Sequence, residues 1–246
     1  MIKEASTNFY DLAIRRKMYS NKANLKFHLH SLFGNVDLKN KEVLDVGGGS
    51  GLLTFYAAAV GAKKAICLEP ELDGSRNGMI KQYHDVQAEL NTTSPIEQLP
   101  LTLQDYMKQA KPGSFDVVVM HSSINHLDEE ACIHLLNKES SYRSYVEIFK
   151  DVYRIMKKSG TLIVSDCSRN NFFNDIGMKN VFVPSIEWHK HQAPKTWISI
   201  FKAVGFKNPT VKWLSPNRLG KVGEVVAGNY LVSYLTRSYF KVTVEK

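Results

Sequence analysis

Cysteine is scarce in this 246-residue chain, and Cys67, Cys132 and Cys167 stand too far apart to form a C-x-x-C pair. That excludes the spacing of a zinc ribbon and offers no disulfide framework. Long apolar runs are missing too: none approaches the roughly 18 residues of a membrane-spanning helix. The first residues, MIKEASTNFYDLAIRRKMY, lack the apolar core and small-residue cleavage site of a secretory signal. A reduced, cytoplasmic setting without a membrane partner is the expectation. No internal repeat or low-complexity linker divides the chain, so one domain is expected over 1–246.

Long basic runs are absent as well. The net charge is +8, yet the densest clusters are Arg15-Arg16-Lys17 and Lys157-Lys158, too short for a polybasic arm. Scattered charge of this kind suits solubility and the steering of an anionic small molecule better than a nucleic-acid partner. With 43% hydrophobic and 23% charged residues, the chain has enough apolar material for a packed core.

What the chain does have is a cluster of glycines. Lys41 to Leu53 reads KEVLDVGGGSGLL. Val43, Leu44 and Val46 make the short apolar run of a buried parallel strand. Gly47, Gly48, Gly49, Ser50 and Gly51 break that run, and Leu52 to Val60 (LLTFYAAAV) continues as a helix. Strand, glycine turn and helix let the backbone approach a ligand closely and aim helix N–H groups at it. A dinucleotide fingerprint, G-x-G-x-x-G, would need glycine at position 52, which is leucine. The pattern present is Asp45-x-Gly47-x-Gly49-x-Gly51.

That pattern resembles motif I of the class I S-adenosylmethionine-dependent methyltransferases, of small-molecule type. The resemblance runs in order over roughly Lys41 to Gly205. It implies an α/β fold with a Rossmann-like, doubly wound, seven-stranded sheet, mostly parallel, with an antiparallel last strand. An N-terminal helical lid over 1–38 would cover the site. The implied cofactor is S-adenosylmethionine, leaving as S-adenosylhomocysteine, with Asp45, Gly47, Gly49 and Gly51 at its centre. Glu69 ends the second apolar strand, Ala65 to Leu68, and matches the acid that binds the ribose hydroxyls, with Pro70 beside it. Gln104 and Asp105 fall where the family contacts adenine, although Asp105 equally fits a helix N-cap. His121 and the lid residue Tyr10 are further cofactor candidates, with Tyr19 beside them; plain packing is the alternative for both tyrosines. No (Asp/Asn)-Pro-Pro-(Tyr/Phe) run and no Pro-Cys pair follows the fourth strand, which counts against DNA amino, protein-glutamine and cytosine C5 methylation.

The third strand is expected around Pro100 to Leu103, the fourth at Phe115 to Met120 and the fifth at Thr161 to Ser165. A sixth follows at Thr210 to Leu214, and Tyr239 to Val244 closes the sheet at or near its edge. Helices are expected over Asp73 to Leu90, Asp128 to Asn137, Ser141 to Lys158, Trp197 to Val204 and within 222–235.

An oxygen acceptor needs a base, and histidine is matched to neutral pH. The connection over 167–193 is long for a compact α/β domain and is expected to be a substrate-side insertion. Its Trp188-His189-Lys190-His191 cluster offers a flat wall, bases and a cation. His189, His191 and His126 are therefore the catalytic candidates, against ordinary surface or packing roles. Asn125, Arg169, Trp188 and Lys190 are the expected acceptor contacts. No cysteine lies near His189 and His191, and no metal is expected. The expected reaction moves a methyl group to oxygen or nitrogen of a small, polar, anionic metabolite. A phosphorylated or nucleotide-linked sugar-type precursor, as in surface-polysaccharide tailoring, fits that class. The alternatives are an RNA methyltransferase and a domain that binds cofactor or a partner without turnover.

Overall fold

A computed structural model describes residues 2–34, 36–71 and 78–246. The first half holds α1 (Ile2–Arg15), α2 (Lys22–Phe33), β1 (Glu42–Val46), α3 (Leu52–Ala59), β2 (Lys64–Leu68), α4 (Met79–Gln87), β3 (Ile96–Leu99) and α5 (Leu103–Met107). The second holds β4 (Phe115–His121), α6 (Glu129–His134), α7 (Glu139–Ile155), β5 (Met156–Cys167), α8 (Phe172–Asp175), α9 (Pro194–Val204), β6 (Lys207–Trp213), α10 (Gly220–Ala227), α11 (Tyr230–Leu235) and β7 (Tyr239–Glu245). The seven strands form one sheet in the order β3-β2-β1-β4-β5-β7-β6. β3 to β5 run parallel, while β7 lies antiparallel between β5 and β6. The doubly wound, mostly parallel sheet is as expected.

Alternation along the strands decides which residues meet which helices. Leu44, Val46, Val118, Met120, Leu162 and Val164 share a core with Tyr145, Phe149, Trp197 and Phe201 of α7 and α9. Val43, Val117, Val119 and Ile163 point the other way, onto Phe9, Leu12, Leu25 and Leu29 of α1 and α2. His121 continues the series of Val117 and Val119, so it belongs to the face covered by α1 and α2. Tyr239 and Lys241 alternate with buried Phe240 and Val242 and share that face; Lys241 Nζ donates to Leu32 O of α2 at 3.0 Å.

Several boundaries differ from expectation. The third strand is Ile96–Leu99, not Pro100 to Leu103, because Thr102 caps α5 by accepting from Asp105 N. Its IEQL sequence is only half-buried, which hides it from hydropathy. The helix expected to reach Lys158 ends at Ile155: Met156 is extended, and β5 starts there. The first residues of the helix expected from Asp73 lie outside the described residues. β7 is second from the edge, since its Phe240, Val242 and Val244 are fully buried while β6 is largely exposed and carries Pro209.

Candidate active site

β1 and β4 end side by side, with Val46 opposite Met120, so the glycine loop faces His121 to Ser123. Gly47 N and Gly48 N both donate to Leu68 O, at 2.9 and 3.1 Å, and Ser123 Oγ donates to Val46 O at 2.6 Å. Gly47, Gly49 and Gly51 all adopt left-handed backbone, with φ of 66°, 55° and 84°, while Gly48 and Ser50 do not. The alternate spacing of the glycines is thus a conformational requirement. At Gly47 there is a second reason: a Cβ would stand 2.5 Å from Ser123 Cβ.

Asp45 sits beneath this loop at 1% exposure. Its Oδ2 accepts from Thr54 N at 3.2 Å and Thr54 Oγ1 at 2.9 Å, which ties β1 to the first turn of α3. Burial, opposed by the Thr54 hydrogen bonds, pushes its carboxyl up to about 7. Because that value lies above the ordinary 3.8, the folded protein holds an extra proton between those limits. The stabilisation is complete below the ordinary value and is lost as the pH rises through about 7. Asp45→Asn is expected to remove this dependence. In urea titrations of cofactor-free protein, the variant should gain on the wild type by about 1.4 kcal/mol per pH unit between pH 5 and 7, then level off. A difference that does not change with pH would reject it.

Glu69 is 4% exposed. Its Oε2 accepts from Gly49 N at 2.8 Å and its Oε1 from Glu71 N at 3.2 Å, so the carboxylate is fixed at the rim of the loop. A cavity of about 970 Å³ opens there, lined by Gly47 to Ser50, Glu69, Pro70, Gln104, Ser122 and His126. Leu101, Leu103 and Leu127 give it apolar walls. A carboxylate for a diol, a glycine loop that allows close approach and apolar sides for a flat base fit S-adenosylmethionine, and the size suffices.

A second chamber of about 330 Å³ adjoins it on the α1–α2 face and shares Met18, Gly47, Gly48, Leu52 and Ser122 with it. Ser122 has φ of 55°, a left-handed non-glycine residue at the partition. The chamber is lined by Tyr19, His28, His121, Ser215, Arg237 and Tyr239, with Leu53 and Leu214. The His28 and His121 rings lie 4.9 Å apart, and Tyr19 stacks on His28 at 5.4 Å. Burial, with His121 beside it, holds the His28 imidazole down at about 3. Burial lowers His121 too, opposed by the Asp166 carboxylate. Burial thus favours the neutral form of both rings.

The expected site residues separate into groups. Gly47, Gly49, Glu69, Pro70, Gln104 and His126 share the large cavity, Asp45 and His121 line the smaller chamber, and Gly51 lines neither, being packed against Tyr83 and Phe55. Gln104 Nε2 donates to Leu127 O at 2.5 Å. Asp105 is turned to solvent and pairs with Lys108 at 2.6 Å; it is not the N-cap either, since Thr102 caps α5 and Asp105 N donates to Thr102 Oγ1 from the first turn. Tyr10 lines neither cavity; it packs edge-on against Phe9, with Lys26 Nζ 5.3 Å from its ring centroid. Asn125 is buried beside His126.

The histidine-rich roof divides as well. His189 is exposed, Trp188 is buried, and Lys190 pairs with Glu129 at 2.9 Å and Glu187 at 3.0 Å. His191 Nδ1 lies 3.1 Å from Asp166 Oδ2. Asp166 alternates with Ser165 and Cys167 and follows the parity of Leu162 and Val164, which places this pair across the sheet from His121. Arg169 Nη1 donates to Gln192 Oε1 at 3.4 Å. None of Trp188, His189, Lys190, His191 or Arg169 lines either cavity. Asp166, Cys167 and His191 bring one ligand-type atom each within 4.8 Å of one another, three donors where a structural zinc site has four.

Sequence reasoning left out His28, Arg237, Tyr239 and Ser215. For His28 no local signal exists. Arg237 and Tyr239 could have been found from the antiparallel sense of β7, which brings its first residues to the C-terminal ends of the other strands.

A family profile described as a methyltransferase domain matches residues 15–211. A ubiquinone biosynthesis O-methyltransferase of Neisseria meningitidis serogroup C is 34% identical over 103 residues, covering 41% of this chain and 39% of that protein. A tRNA U34 carboxymethyltransferase of Cellvibrio japonicus is 25% identical over 179 residues, covering 73% and 49%. The chain thus spans less than half the length of these curated relatives. A SAM-dependent methyltransferase structure from Archaeoglobus fulgidus superposes with a TM-score of 0.60 at 15% identity, covering 95% of this chain and 98% of that one. That likeness establishes the fold.

Proposed function

Since the chain belongs to the methyltransferase-domain family, we propose that it is an S-adenosylmethionine-dependent methyltransferase that methylates an oxygen or nitrogen of a small polar acceptor. The observation that carries this reading is the pair of cavities meeting at the glycine loop. The larger takes the cofactor, whose sulfonium supplies the methyl group. The smaller, of about 330 Å³, takes the acceptor and suits a small molecule. This chain's part is to hold the two in line and exclude water, with α1 and α2 as the cover. Glu69 holds the ribose hydroxyls, and Gly47 to Gly49 present backbone to the amino-acid end.

The phosphorylated or nucleotide-linked sugar expectation rests on Arg169, Lys190 and the basic charge balance. Lys190 is held between two carboxylates and neither residue reaches the chamber, so their geometry lends that substrate no support.

Glu69→Ala is expected to weaken S-adenosylhomocysteine binding by roughly 1.5–3 kcal/mol, the scale of a hydrogen bond to a charged group. Isothermal titration calorimetry measures it; wild-type affinity in the variant would remove the cofactor placement. A second reading, an RNA acceptor, is favoured by the Cellvibrio relative. It requires tRNA binding that falls steeply with salt, which a filter-binding series reads directly.

A further inference from the structure

Among the described residues, seven buried side-chain polar atoms lack a hydrogen-bond partner. Three of them, His121 Nδ1, Ser215 Oγ and Arg237 Nε, belong to residues lining the chamber beside the glycine loop. A fourth, Ser165 Oγ, belongs to the cross-strand partner of His121. Orphaned buried polar atoms are costly, and their clustering at one cavity points to a ligand that satisfies them. The cation is equally unmatched: no carboxylate among the described residues pairs with Arg237, whose guanidinium carbon lies 5.4 Å from the Tyr239 ring centroid. Met18, Leu52, Leu214, Tyr19 and Tyr239 give the chamber apolar and aromatic walls, and Ser122, Asn217 and Asp45 beneath the glycine loop add polar ones.

We infer that this chamber binds an aromatic hydroxy acid, with its carboxylate on Arg237 and its hydroxyl on His121, and that His121 takes the hydroxyl proton. The inference rests on the two-cavity reading above and names the acceptor class for it. A guanidinium matches a carboxylate in a forked geometry, which selects an oxyanion over a neutral group. A flat ring fits between the tyrosines and leucines. His121 follows the last buried valines of β4, so the sheet fixes its place next to the glycine loop.

The proton balance supports the same residue. The acceptor oxygen forms the new bond to the methyl carbon as the carbon–sulfur bond breaks, and sulfur keeps that bond's electron pair. The hydroxyl proton passes to His121 Nδ1. One positive charge leaves sulfur as one arrives on the imidazole, so the site's net charge does not change. Asp166 on the neighbouring strand favours the charged ring, while His28 packs against it and remains neutral.

The test uses full-length protein saturated with S-adenosylhomocysteine and titrated calorimetrically with the three monohydroxybenzoates, 3,4-dihydroxybenzoate and catechol. Turnover with S-adenosylmethionine is followed as S-adenosylhomocysteine release. The wild type is expected to bind at least one of the acids tenfold or more tighter than catechol and to methylate it. Arg237→Gln should erase that preference. His121→Gln should keep the acid's Kd within threefold while kcat falls at least a hundredfold. Unchanged S-adenosylhomocysteine affinity certifies that each variant is folded, with Arg237→Lys and His121→Asn as replacements where one is not. Binding of none of the acids, a carboxylate preference that survives Arg237→Gln, or wild-type kcat in His121→Gln overturns the inference. Methylation of tRNA alone overturns it while leaving the cofactor site in place. Loss of S-adenosylhomocysteine binding by the wild type would instead remove the reading beneath it.

Discussion

Gly51→Ala is expected to lose about 2–5 kcal/mol of folding stability, the sum of left-handed strain and overpacking. Gly51 has φ of 84°, which costs an alanine roughly 1–2 kcal/mol. The added Cβ would also stand 2.4 and 2.6 Å from Tyr83 Cδ2 and Cε2, and 2.9 Å from Phe55 Cε2. Both rings are completely buried and pack on each other at 4.6 Å, so neither can swing aside. Relieving the overlap means moving α3 or α4, and α3 carries the Thr54 contacts that hold Asp45. Gly113 is the control: its φ is 65°, yet a Cβ there meets nothing within 4 Å. Gly113→Ala should therefore show the strain alone. Urea denaturation of the two variants separates the contributions, and equal losses would sink the packing argument.

The glycine loop was legible because its demands are local. Positive φ at alternate positions leaves a mark in the sequence that no packing context can erase. Glu69 was legible for a related reason, since a buried strand ending in an acid at a fixed distance from the loop is a one-dimensional pattern. β4 was legible too, as FDVVVM is apolar on both faces. β3 was not, because a half-buried edge strand such as IEQL carries no hydropathy signal.

The smaller chamber was illegible for a different reason. Its residues are Tyr19, His28, His121, Ser215, Arg237 and Tyr239, spread over nearly the whole chain, and only the sheet brings them together. The Trp188-His189-Lys190-His191 run looked like a site because its polar groups are adjacent in sequence. In the fold a single helical turn sends His189 to solvent and His191 to Asp166, while Lys190 is neutralised by Glu129 and Glu187. Adjacency in sequence thus favoured a cluster that lines neither cavity. Parity along β4 was the stronger signal, because it puts His121 on the face of Val117 and Val119.

The long connection over 167–193 still has work to do, and its centre is Asn171. That residue is fully buried; its Nδ2 donates to Tyr234 O and Thr236 O at 3.0 Å and to Ser238 Oγ at 2.9 Å. Its Oδ1 accepts from Phe173 N and Asn180 Nδ2. One amide thus ties the connection to the turn between α11 and β7, where Arg237 and Tyr239 begin the chamber wall. Asn171→Ala is expected to lose about 3–5 kcal/mol, because several buried partners are left unsatisfied at once. The damage should stay on one side of the molecule. Hydrogen exchange should accelerate over residues 230–239 while the β1 and β4 amides stay protected, and S-adenosylhomocysteine affinity should remain within about threefold, well under the tenfold that 1.4 kcal/mol represents. Uniform deprotection would mean that the connection supports the whole sheet. Protection unchanged over 230–239 would mean that the Arg237 wall stands without it.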